Sequence, residues 1–209
     1  MTVAQLHDGA LLELTVVGEG PAVLLPVNPV PIEGETAEQM RAWGADPELG
    51  HRLVTGLAEA GFRAIAADYE GHLAQHPKPL TLTPDALAAD LLAIADAAGA
   101  DRFAYYGYSW LALSGLQLAT RTDRLAALAM GGFPALGAPF RPMLTVTSAT
   151  HRMAVANRDA PPRTVEVEPG DWDSAEVTVS PEQTGQYLTL YQSLQDFDEQ
   201  AALTHLTIF

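Results

Sequence analysis

The strongest constraint on the fold is the regular alternation of strand-like and helix-like runs between residues 11 and 134. "LLELTVV" alternates apolar and polar residues, and "PAVLLPV" after it is almost continuously apolar, which predicts a half-buried strand followed by a fully buried one. "PELGHRLVTGLAEA" has apolar residues at helical spacing and stops at Gly61. "FRAIAADYEGH" then predicts a strand that ends in a polar turn.

The next part of the chain continues the pattern. "TPDALAADLLAIADAAGA" begins with Thr83 as an N-cap and Pro84 in the first turn, and it ends at Gly99. The strand "RFAYYGY", the helix "WLALSGLQLATR" and the strand "LAALAMGGFP" follow. Strands that alternate with helices of this length predict an α/β fold with a mostly parallel sheet and helices on both faces.

Composition excludes several functions. With 26 acidic and 11 basic residues among 209, the net charge of −15 is unsuited to nucleic acid or an anionic membrane as partner. Because the chain has no cysteine, disulfides, thiolate zinc sites and thiol redox chemistry are excluded. The N-terminus lacks the features of a secretory signal, so we expect a soluble, cytoplasmic protein that acts on a small molecule.

The segment Gly107-Tyr-Ser-Trp-Leu lies between a predicted strand and a predicted helix, where a G-x-S-x-G nucleophile turn belongs. On such a turn Ser109 would stand above the carboxyl edge of the sheet, and the Trp110 backbone N–H would face a developing oxyanion. The alternative is that Ser109 only caps the helix. Tyr108 and Trp110 are also candidates for lining a substrate site.

Several segments together resemble the α/β-hydrolase family. "GEGPAVLLPV" is similar to the strand before its oxyanion loop, "AADYEGH" to its D-x-R-G-H segment, and "GLQLATRTDRLAALAMGGFP" to the helix and strand after its nucleophile. The resemblance covers residues 10–134 and implies a serine hydrolase that needs no metal or organic cofactor and cleaves a small ester or related carbonyl compound. It also implies that residues 1–134 form the N-terminal part of an α/β-hydrolase core.

Two positions depart from the family pattern. Leu111 stands where a small residue is preferred, and "LPVNPVP" replaces the usual His-Gly of the oxyanion loop. Because the prolines of this loop have no N–H, the second oxyanion donor would be Val27 or Asn28, of which we select Asn28.

The partners of a serine nucleophile are missing from the pattern. A serine hydroxyl needs a histidine as base and a carboxylate to orient it, which in this family follow the serine in the order acid, histidine. No histidine is assigned to this role, although His205 and His151 are the first to test, and Asp68 is expected to stabilise a turn. Among the other histidines, His72 is expected to have a structural role, and no sequence pattern supports a catalytic role for His7, His51 or His76.

From Pro134 onward the regular alternation of strand-like and helix-like runs stops. We expect residues 135–195 to form a largely helical cap and residues 196–209 a return helix toward core strands absent from these 209 residues. "SPEQTGQYLTLYQSLQDFDEQAALTHL" predicts one long helix that begins at Ser180 and Pro181. The acidic segment 166–173 lacks the regular donor spacing of a calcium loop and is interpreted as a solvated loop.

Two functional hypotheses therefore remain open. The first is the serine hydrolase, whose acid and histidine come from a further C-terminal portion or a second chain that also covers the apolar edge strand "LAALAM". These 209 residues alone should then show little triad-dependent ester hydrolysis. The second is a non-catalytic small-ligand-binding protein of the same fold.

Overall fold

A six-stranded sheet forms the centre of the computed structural model, which describes residues 2–42, 44–159 and 180–205. In spatial order the strands are β1-β2-β4-β3-β5-β6. The pairs β1/β2 and β2/β4 are antiparallel, and the remaining pairs are parallel. The strands are β1 (Thr2–Gln5), β2 (Leu11–Val17), β3 (Ala22–Leu25), β4 (Arg63–Ala66), β5 (Phe103–Tyr108) and β6 (Leu125–Gly131). The predicted α/β class and the mostly parallel sheet are confirmed.

Helices cover both faces of this sheet. On one face α2 buries Val54 against residues of β3 and β4, and on the other face α4 and α5 contribute to the larger core. None of the helices in the described residues is long and apolar enough to cross a membrane. The helices are α1 (Gly34–Ala42), α2 (Leu49–Glu59), α3 (Tyr69–Gln75), α4 (Pro84–Ala97), α5 (Trp110–Ala119), α6 (Phe140–Ala156), α7 (Pro181–Ser193) and α8 (Glu199–His205).

Two predictions of local structure are wrong. The predicted polar turn "DYEGH" is the start of α3, because the Asp68 carboxylate accepts a hydrogen bond from the Gly71 N–H and so caps a helix. The predicted long C-terminal helix is two helices, since α7 ends at Ser193 and α8 begins at Glu199. Asp198 caps the second helix by accepting a hydrogen bond from the Ala201 N–H. The strand β1 and the helix α1 were not predicted.

The helices α6 and α7 pack against each other and on the core. His151 of α6 lies 3.0 Å from the Thr184 hydroxyl of α7. The side chain of Gln186 donates to the Leu73 carbonyl and accepts from the Lys78 N–H, so that α7 is joined to α3 and to the segment that follows it. The limits of the expected cap, 135–195, and of the return segment, 196–209, stay predictions. The acidic segment 166–173 lies outside the described residues.

Candidate active site

The predicted strand-to-helix turn is present at Ser109. This residue follows β5 and precedes α5, with φ 57° and ψ −131°. Among the described residues it is the only non-glycine residue with positive φ. Such backbone angles cost about 1–3 kcal/mol and persist only where the surroundings impose them. Because Ser109 is exposed and its side chain makes no helix-capping hydrogen bond, the local geometry favours a presented hydroxyl over a simple N-cap.

Close packing between β5 and α5 imposes this turn. A Cβ at Gly107 would overlap the Leu111 carbonyl, and one at Gly115 would lie 2.5 Å from the Tyr105 ring. The Tyr105 hydroxyl also donates to the Leu111 carbonyl at 2.8 Å. The close approach therefore involves the backbone of Leu111, while its side chain is buried in the larger core. The glycines at 107 and 115 therefore allow β5 and α5 to pack closely, and the Leu111 side chain lies in the core.

The two expected oxyanion donors lie at neighbouring strand ends. Trp110 is the first residue of α5, so its N–H has no partner within the helix. Asn28 follows β3, which is the parallel neighbour of β5. The Asn28 side chain accepts a hydrogen bond from the Val30 N–H at 3.0 Å and so shapes the loop. The arrangement is compatible with two donors above the sheet edge, and their roles stay predictions.

The aromatic residues beside Ser109 differ in environment. The Tyr108 side chain is 59% exposed, and its ring lies over the backbone at Gly131 and Gly132. Trp110 is 9% exposed, and its indole N–H donates to the Glu70 carboxylate at 2.9 Å. The Tyr187 ring of α7 meets the Trp110 ring edge-on at 5.2 Å. The helix α7 therefore reaches the residue next to the candidate nucleophile.

No histidine in residues 2–42, 44–159 and 180–204 hydrogen-bonds to the Ser109 hydroxyl; the side chain of His205 lies outside the described part. His7 pairs with Asp90, and His151 with Thr184. His72 is buried with an unpartnered Nε2, and burial together with the nearby Lys78 and His76 charges lowers its pKa. The assignment of a triad histidine therefore stays open.

The carboxylates near the turn also have defined positions. Asp68 caps α3, in agreement with the structural role expected for it. Glu70, two residues later, is exposed and binds the indole of Trp110. Sequence reasoning missed this residue, although its position just after β4 places it at the same carboxyl edge as Ser109. No group of three or more metal-ligating residues occurs within the described residues.

A buried polar network lies beneath this edge. The Asp90 carboxylate, which is fully buried, accepts hydrogen bonds from the Tyr69 hydroxyl at 2.7 Å and the His7 N–H at 2.7 Å. It also pairs with the only lysine of the chain, Lys78, at 3.2 Å. Burial and the Asp90 charge raise the pKa of Tyr69, so that its hydroxyl remains a donor. The network fixes Tyr69, which precedes Glu70.

Ser109 lines neither of two cavities in the described part of the chain. One, of about 610 Å³, lies between residues 136–142 and 195–200. The other, of about 310 Å³, is an apolar hollow between α2 and the sheet strands β3, β5 and β6. The expectation that residues 135–195 roof a pocket at Ser109 stays a prediction.

Comparison with known proteins reveals the fold. No protein-family profile and no curated protein matches the sequence. Solved structures do match. One is AqDC, which is described as recognising and cleaving the ring of the Pseudomonas quinolone signal. It superposes with a TM-score of 0.60 at 15% identity, and the match covers 99% of this chain and 78% of the AqDC chain. An esterase from Exiguobacterium antarcticum gives 0.54 at 15% identity, with the same 99% and 78% coverage. The enol-lactonase from Burkholderia xenovorans LB400 gives 0.50 at 18% identity, again over 99% and 78%.

The chain has the α/β-hydrolase fold. The resemblance seen in the sequence is thereby confirmed at the level of the fold. Within the α/β-hydrolase fold Ser109 stands on the turn after β5, which lies between β3 and β6 in the sheet. At these identities the likeness shows the fold alone. The catalytic role of Ser109, the oxyanion roles of Trp110 and Asn28, and the substrate contact of Tyr108 remain predictions.

Proposed function

We propose that this protein is a serine hydrolase that cleaves a small ester or a related carbonyl compound through Ser109. The observation that carries the proposal is the strained, exposed serine between β5 and α5, at φ 57° and ψ −131°. A serine on such a turn directs its hydroxyl above the sheet edge, beside the free N–H groups of the following helix. The esterase and the enol-lactonase that share the fold act, by their names, on esters and lactones, which supports this class of substrate.

The proposal places the histidine and the acid outside the described residues. Oxyanion-hole donors still favour attack by serine when the base is weak, so we expect acylation to be faster than release of the acyl group. No metal or organic cofactor is required for this chemistry. A further segment or a second chain that contributes the histidine would also cover the edge strand β6, whose only strand neighbour among the described residues is β5.

The second candidate is a non-catalytic small-ligand-binding protein of the same fold. The observation that favours it is the absence of a hydrogen bond between Ser109 and any described histidine side chain. In that case the exposed Tyr108 and the Trp110–Tyr187 pair would contact a ligand that is not turned over.

Burst kinetics distinguish these candidates. With p-nitrophenyl acetate we expect a slow first phase that releases about one equivalent of p-nitrophenol per protein, followed by still slower turnover, because an acyl-enzyme forms at Ser109 without a described base and is hydrolysed even more slowly. Ser109→Ala should abolish the burst. Stopped-flow absorbance measures both phases.

Ser193→Ala is the matched control, since Ser193 is an exposed serine on α7 whose hydroxyl only donates to the Thr189 carbonyl. It should retain the burst in full. If wild type and Ser109→Ala release p-nitrophenol at the same rate with no burst, the hydrolase proposal is wrong and the ligand-binding candidate is favoured.

A further inference from the structure

An exposed negative charge is hydrogen-bonded to the residue that follows the candidate nucleophile. Glu70 lies in α3, just after the carboxyl end of β4, and its Oε1 accepts the indole N–H of Trp110 at 2.9 Å. Trp110 directly follows Ser109 in the chain. Because the indole is largely buried and the carboxylate is exposed, the hydrogen bond fixes the charge at the sheet edge while leaving it accessible to solutes.

No described cation neutralises this charge. Within residues 2–42, 44–159 and 180–204, Glu70 has no basic side chain within 4.0 Å. The nearby Tyr187 stays neutral, since burial and the Glu70 charge raise its pKa. In the D-x-R-G-H pattern that this segment resembles, the position of Glu70 is basic. Glu70 therefore places a negative charge beside the Trp110 indole that no described basic side chain compensates.

We propose that Glu70 determines the charge preference of the site: it favours substrates that carry an ammonium group over neutral isosteres, and it disfavours substrates that carry a carboxylate. A unit charge a few ångströms from a carboxylate near the surface gains Coulomb energy, and a like charge loses it. The half-buried Tyr187 ring, which packs edge-on against the buried Trp110 ring at 5.2 Å, adds the attraction of an aromatic ring for an alkylated ammonium ion. The expected selectivity of hydrolysis rests on the proposed function, whereas the expected binding of an ammonium compound does not.

Binding is tested by the fluorescence of Trp110. The chain has three tryptophans, and a Trp43→Phe/Trp172→Phe background leaves Trp110 as the sole emitter. Titration with tetramethylammonium chloride at constant ionic strength should change the emission saturably, while tert-butanol and acetate should act more weakly. Glu70→Gln retains an oxygen that accepts the indole N–H but removes the charge, and it should weaken tetramethylammonium binding about five-fold or more.

Glu59→Gln is the matched control because it removes the same charge from an exposed position on α2, the helix that packs on the sheet face opposite α5. Its affinity for tetramethylammonium should equal that of the background protein. Equal affinity in the background protein and in Glu70→Gln, or no saturable signal in either, would overturn the proposal.

Hydrolysis gives an independent second readout. The ratio of kcat/KM for acetylcholine to that for its uncharged isostere 3,3-dimethylbutyl acetate should fall about five-fold in Glu70→Gln and stay unchanged in Glu59→Gln. If hydrolysis depends on Ser109 but this ratio does not change, Glu70 has no role in specificity and the proposal is wrong. If no hydrolysis depends on Ser109, the proposed function fails, and the fluorescence titration alone decides the role of Glu70.

Discussion

Replacing Asp90 by alanine is expected to lower the free energy of unfolding by about 3 kcal/mol, because the buried Lys78 ammonium then keeps only the partly exposed Asp8 carboxylate, 3.2 Å away, as its counter-ion. The Tyr69 hydroxyl and the His7 backbone N–H lose their acceptor at the same time. A buried polar group that loses its hydrogen-bond partner costs more free energy than the hydrogen bond contributed to stability. Urea denaturation followed by circular dichroism measures the loss.

The same helix supplies the control. Asp85 of α4 pairs with Arg121 at 2.7 Å, but its side chain is 86% exposed, so Asp85→Ala should cost less than about 1 kcal/mol. If Asp90→Ala does not fold, the isosteric Asp90→Asn allows the measurement, since it removes the charge and retains one acceptor. An Asp90→Ala midpoint within experimental error of Asp85→Ala would show that the network does not stabilise the protein.

The second large effect is expected at Gly107, where alanine should cost about 3 kcal/mol or more and distort the turn at Ser109. The added Cβ would overlap the Leu111 carbonyl and lie 2.9 Å from the Ala112 nitrogen. These atoms belong to the backbone of α5, so the helix itself must move. The free-energy cost of overpacking against backbone atoms therefore lies at or above the upper end of the usual range for overpacked cores. Urea denaturation gives the stability, and the p-nitrophenol burst reports the turn.

Gly56→Ala is the control for this substitution. Gly56 lies within α2, and a Cβ there would meet no atom within 4 Å. Alanine favours helix over glycine, so this variant should be as stable as wild type or more stable by up to about 1 kcal/mol, with an unchanged burst. A Gly107→Ala protein with wild-type stability and a full burst would contradict the packing described between β5 and α5.

Much of the central fold was predictable because its signals are local. The alternation of apolar runs with capped helices gave the order of β2 to β6, and Thr83 accepts a hydrogen bond from the Ala86 N–H as an N-cap should. The short strand β1 was not predicted because "TVAQ" has too few residues to show a period. The helix α3 was missed because a capping aspartate and a turn aspartate look alike in sequence.

The site was predictable in part. The glycine and serine of the turn indicate a strand-to-helix junction, and the turn predicted at Ser109 is present, with a positive φ. The close contact between Gly115 and Tyr105, and the bond from the Tyr105 hydroxyl to the Leu111 carbonyl, depend on packing that no local pattern shows. The network of His7, Tyr69, Lys78 and Asp90 joins residues up to 83 positions apart, and no local pattern indicates such a set.

We propose that the turn between β5 and α5 presents a reactive serine. It is tested most directly by exposing the protein to a fluorophosphonate until the reaction is complete, and then locating the adduct by tandem mass spectrometry of proteolytic peptides. We predict one phosphonyl group, on Ser109, because its hydroxyl is exposed next to free helical N–H groups. A protein that remains unmodified, or that carries the group on any other residue while Ser109 is intact, would contradict the claim.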